Sequence, residues 1–124
     1  MSTRLLCFAV LPLLAGCATR LPSTGFAEPA ALEGALQRYY AGHATEQHGY
    51  CLSPYISGLT QTEMVAQQPE RLVVDVRYLY QDRFKNSDDN GGHECTGYAG
   101  RRFTFGKGPG GAVEVLDMTG PRRS

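Results

Sequence analysis

The sequence predicts an α+β domain: one amphipathic helix packed on an antiparallel sheet of three to four strands. Three observations carry that expectation. Apolar residues recur at helical spacing after Pro29, residues 71–81 alternate with a period of two, and Gly- and Pro-rich turn signals separate the later apolar runs. At 124 residues, the chain has room for one domain with a modest core.

The helix comes first. Leu32, Ala35, Leu36, Tyr39, Tyr40 and His43 follow one another at steps of three and four, while Glu33, Gln37 and Arg38 fill the opposite side. Pro29 suits the first turn, where its missing N–H leaves nothing unpaired, and Glu28 suits the positive end of the helix dipole. Gly34 costs about 1 kcal/mol against Ala, and Gly42 offers a stop. The expected span is 29–43.

Strands follow. In 71–81, Leu72, Val74, Val76, Tyr78 and Tyr80 share one face; Arg71, Asp75, Arg77 and Gln81 lie on the other with Val73 and Leu79. That pattern belongs to an antiparallel strand with one buried face. A second strand is expected around 98–105, where Phe103 and Phe105 alternate with Arg102 and Thr104, and a third over 112–118. An earlier strand near 60–67 has a weaker pattern. Gln68-Pro69-Glu70 and the run from Gly106 to Gly111 supply the turns. A helix followed by such a meander must bury its stripe on one sheet face. The layout resembles, in topology and not in any motif, the cystatin-like and nuclear-transport-factor-2-like α+β rolls. Those rolls host enzymes and binding domains alike, so the resemblance implies a fold and no particular activity.

The amino-terminal segment has a different character. Arg4 precedes an apolar stretch over 5–14, broken only by Pro12 and too short for a membrane-spanning helix of about 20 residues. Small residues Ala15 and Gly16 follow, as before a signal-peptide cleavage site. Leu14-Ala15-Gly16-Cys17 resembles the lipobox of bacterial lipoproteins. The resemblance implies cleavage before Cys17, a diacylglyceryl group on its thiol and acylation of the new amino group. Two or more chains make attachment stable, where one would be marginal. Ala18 in place of Asp after the cysteine implies, by the same resemblance, the periplasmic face of the outer membrane. The expected organisation is a signal peptide over 1–16, a lipidated tether over 17–28 marked by Pro22, Ser23, Thr24 and Gly25, the α+β domain over 29–119, and a fraying tail over 120–124.

With Cys7 discarded and Cys17 lipidated, Cys51 and Cys95 remain. In an oxidising compartment they most simply form one disulfide. A redox pair would need closer spacing. A zinc set drawn from His43, His48, His93 and the cysteines lacks tandem ligand spacing and loses its thiolates if the cysteines pair. Asn86, Asp88, Asn90 and Gly91 match the first positions of a calcium loop, but Gly97 stands where a bidentate Glu is needed. No catalytic residue, metal or cofactor is expected, because no nucleophile elbow, zinc-protease motif or phosphate loop is present.

Charge is balanced at 12 basic and 12 acidic side chains, which gives no electrostatic case for nucleic acid. Arg101-Arg102 and Arg122-Arg123 read as solvated surface. Two functions stay open. One is a lipid-anchored accessory domain, held to the membrane by its amino-terminal lipid, that binds an envelope protein or plays a structural part. The other is a small-molecule or hydrolytic pocket lined by Tyr39, Tyr40, Tyr78 and Tyr80. A cavity between helix and sheet favours the second; a filled interior with apolar surface outside favours the first.

Overall fold

The computed structural model describes residues 20–22, 25–82 and 94–123. Among these residues, one α-helix, α1 (Pro29–His43), precedes four strands: β1 (Pro54–Gln68), β2 (Arg71–Asp82), β3 (Thr96–Lys107) and β4 (Val113–Met118). The strands form one antiparallel sheet in the order β1-β2-β3-β4, a plain meander. The helix lies across one face and reaches both edge strands. The fold is therefore α+β, as the periodicities require.

The core is the sum of three stripes. Helix α1 contributes Leu32, Ala35, Leu36 and Tyr40; β2 contributes Leu72, Val74, Val76, Tyr78 and Tyr80; β3 and β4 add Phe103, Phe105 and Met118. Burying each large apolar side chain is worth about 1.5–3 kcal/mol, so these three stripes carry the stability of the sandwich. The helix starts at Pro29, as expected, and runs through Gly42 to His43. Arg123 closes its end: its backbone N–H donates to His43 O at 2.8 Å and its Nη2 to Ala41 O at 2.9 Å. Those carbonyls have no partner within the helix.

The structure differs from the sequence reading in three places. Leu21 and Phe26 were assigned to the tether, but both are buried in the core. The folded unit begins at least as early as Arg20, whose carbonyl accepts from Thr62 Oγ1 at 3.1 Å. Strand β1 starts at Pro54, not near residue 60. Its register against β2 slips after Ile56, Leu59 and Met64, and each extra residue breaks the alternation that would have marked the strand. The carboxyl-terminal segment does not fray through residue 123. Thr45 N donates to Pro121 O, and Ala44 pairs with Arg122.

The disulfide forms between Cys51 and Cys95, with α-carbons 5.6 Å apart, inside the 4.4–6.8 Å window that the bond requires. It ties the turn after α1 to the start of β3. That turn is tight. Glu46 and Cys51 exchange backbone hydrogen bonds across four residues, with Gln47 and His48 at φ of 53° and 57°.

Candidate functional site

Alternation along β3 points Arg101 inward with Phe103 and Phe105. The strand thus carries a cation into the space between helix and sheet, where Arg101 is only 5% exposed. A buried guanidinium must find an acceptor for each of its five donors, and here every one does. Nε donates to Tyr78 OH at 2.7 Å; Nη1 donates to the Thr119 and Pro121 carbonyls, both at 2.9 Å; Nη2 donates to Thr45 O at 2.8 Å and Glu46 Oε2 at 3.2 Å. Tyr40 and Tyr78 hydroxyls donate to the same Glu46 oxygen at 2.7 and 2.6 Å. Burial, then the hydrogen bond to Glu46, pushes both phenols well above the usual tyrosine range.

Gly120 makes the wrap around Arg101 feasible. Its φ is +95°, and a β-carbon there would lie 2.8 Å from Arg101 Nη1. A non-glycine residue would be both strained and in collision.

These contacts decide what the tyrosines do. Tyr40 and Tyr78 meet edge to face at 5.1 Å and are fully buried. Tyr80 is buried beside them, and its hydroxyl accepts from Gln47 Nε2 at 3.1 Å. Tyr39 points elsewhere: it stacks on His43 at 3.9 Å and its hydroxyl accepts from Arg122 Nη1 at 3.0 Å. The four therefore do not line one pocket. Three are core, and the place where a ligand would lie is taken by the Arg101 guanidinium. Arg101 itself was read as surface; continuing the alternation of Phe103 and Phe105 by one step inward would have found it. Glu46 gave no signal, because nothing in its neighbourhood is periodic.

Among the described residues, metal ligands do not converge on a histidine. His43 Nδ1 lies 2.8 Å from Tyr39 O, His48 sits exposed in the tight turn, and His93 and the calcium-loop positions 86, 88, 90 and 91 lie outside the described residues. Among the described residues, only Cys51, Asp82 and Cys95 bring three potential ligands together; the disulfide occupies both sulfurs, and Asp82 accepts from Ser53 N at 3.1 Å.

The open side of the molecule is the outer face of the sheet. A groove of about 550 Å³ there is bordered by Gln61, Glu63, Asp75, Arg77 and Arg102. A second, of about 600 Å³, adjoins it at Gln61, Arg77 and Gly100 and ends at Tyr98. Gly100 forms the floor opposite Arg77: a β-carbon at this residue would touch the Arg77 side chain at 3.5 Å. Arg102 is held by Asp75 through two hydrogen bonds of 2.7 and 3.1 Å, and that guanidinium lowers the Asp75 carboxyl from its ordinary range. Beyond the backbone pairing of its strand, Arg77 makes no hydrogen bond or ion pair through its side chain among the described residues. Tyr98 is 76% exposed, the most exposed of the large apolar side chains among the described residues.

No protein-family model, curated protein or solved structure matches this chain. No helix among the described residues is long and apolar enough to cross a membrane. Cys17, the expected lipidation site, lies outside the described residues.

Proposed function

We propose that this protein is a lipid-anchored accessory protein of the bacterial envelope. Cys17 carries the lipid, the anchorage is on the periplasmic face of the outer membrane, and the domain works by binding another envelope protein. The anchor rests on the lipobox and on Ala18. The binding role rests on one observation: the outer sheet face presents Tyr98 and Arg77 side by side over the Gly100 floor. Tyr and Arg are the side chains that most often dominate protein interfaces. Arg77 is available to a carboxylate of the partner, and Tyr98 supplies area that is otherwise left in water. The inner tyrosines lend no support to a pocket-based activity, since Glu46 and Arg101 use the hydroxyls of Tyr40 and Tyr78 and Gln47 uses that of Tyr80.

The test is a photo-crosslinking amino acid placed at residue 98 in cells, with exposed Gln37 on α1 as the control. A discrete adduct at 98, absent at 37 and weakened by Arg77→Glu, is the expected result. Absence of an adduct at 98, or the same adducts from both positions, would remove the binding face.

A further inference from the structure

The lipid anchor and the docked amino-terminal segment together fix how the domain meets the membrane. Arg20 is not at the end of a free tether. Its carbonyl accepts from Thr62 Oγ1 on β1 at 3.1 Å, the next residue's N–H donates to Glu33 Oε2 at 3.4 Å, and Leu21 is 2% exposed. Three residue steps separate Cys17 from Arg20. Even fully extended they span about 10 Å, which is less than the breadth of the four-stranded sheet, about 14 Å across three spacings. The bilayer must therefore lie close to the β1 edge.

That edge carries apolar side chains in water. Met64 and Val65 are 46% and 43% exposed, two and three residues beyond Thr62, or about 7–10 Å along the strand. Val65 is the extra residue of the third register slip in β1; a bulge of this kind re-aims side chains. An edge strand of 15 residues with apolar side chains is a template for unwanted strand pairing unless something covers it.

We infer that the β1 edge is the membrane-facing side of the mature protein, with Met64 and Val65 seated among the lipid headgroups beside the anchor. The inference rests on lipidation at Cys17. It leaves Tyr98, two strands away on β3, clear of the bilayer.

The experiment uses the full lipidated protein in vesicles of phosphatidylethanolamine and phosphatidylglycerol. The native disulfide is intact, so a single introduced cysteine takes an environment-sensitive fluorophore. Val65→Cys tests the β1 edge, and Glu114→Cys, exposed on the opposite edge strand, is the control. A nitroxide lipid bearing its label near the headgroup should quench the label at 65 several-fold more than the label at 114. Equal quenching at the two positions would overturn the inference. So would a label at 65 that is shielded from aqueous iodide yet untouched by the nitroxide, which would mean that a second copy covers the edge. The anchor is read separately, from the acyl mass on the same preparation. A protein with lipid and equal quenching defeats the orientation alone, whereas a protein without lipid defeats both readings.

Discussion

Arg101 and Glu46 form an ion pair whose value lies in completeness. Taking two charges out of water is costly, and replacing a whole buried pair with apolar residues can be neutral. Removing one partner is different, because the other stays buried and unpaired. Arg101→Met should therefore cost about 3–5 kcal/mol in urea denaturation. Joining it to Glu46→Met should recover part of that loss, a coupling that a double-mutant cycle measures. What the pair contributes is position. It joins residues 45–46, the Tyr78 and Arg101 strands and the 119–121 carbonyls into one arrangement. The same cluster sets the alkaline limit. Tyr40 and Tyr78 have raised pKa values in the folded state, so the folded form retains protons that unfolded tyrosines release near pH 10. Their contribution is full below about pH 10 and is lost as pH rises toward the folded values. Denaturation midpoints should fall in that window, with phenolate absorbance from these two residues appearing only as the protein unfolds. Tyr40→Phe should flatten the fall. An unchanged slope would show that Tyr40 takes no part.

Among the elements, α1, β2, β3 and β4 could be read from the sequence because each has one buried face and one wet face. Residues 71–82 show this best: the inward positions Leu72, Val74, Val76, Tyr78 and Tyr80 are all buried. The first half of β1 was not legible. Gly58 and the slips at Ile56 and Leu59 mix its faces, and Pro54, tolerated as the first residue of a strand, reads as a loop residue. Leu21 and Phe26 were hidden by the Pro, Ser, Thr and Gly around them, which have the composition of a linker. The disulfide was legible from the cysteine count and the oxidising compartment that the lipobox resemblance implies. Closing a loop with a sequence separation of 44 removes about 4 kcal/mol of chain entropy from the unfolded state. Cys51→Ala should thus melt well below wild type under oxidising conditions, and the difference should vanish in reductant. Equal melting without reductant would leave the bond with no stabilising part.

The molecule as a whole has one closed side and one open side, and the functional reading follows from that division. Helix, tyrosines and the Arg101 cluster fill the inner face, so a substrate would have to displace groups whose hydrogen bonds are all made. The outer face keeps Tyr98, Arg77 and the Asp75–Arg102 pair in water. That pair is exposed and screened by salt, so it is suited to orienting a partner more than to holding the fold. The composition of the Arg101-Arg102 pair hides this division, because the two are neighbours of identical chemistry; only the strand's alternation, carried inward from Phe103 and Phe105, sends one inward and one outward. The proposed anchor belongs to this scale too: with lipid on Cys17, a domain docked within about 10 Å of it would present a fixed side to the membrane and its other faces to the periplasm. Intact mass spectrometry of the protein extracted from membranes, without reduction, tests this account most directly. The account predicts a chain beginning at Cys17, heavier by a diacylglyceryl group and an amide-linked acyl chain, and lighter by the two hydrogens lost in the Cys51–Cys95 bond. A chain that retains residues 1–16, or one that begins at another residue without lipid, would contradict it.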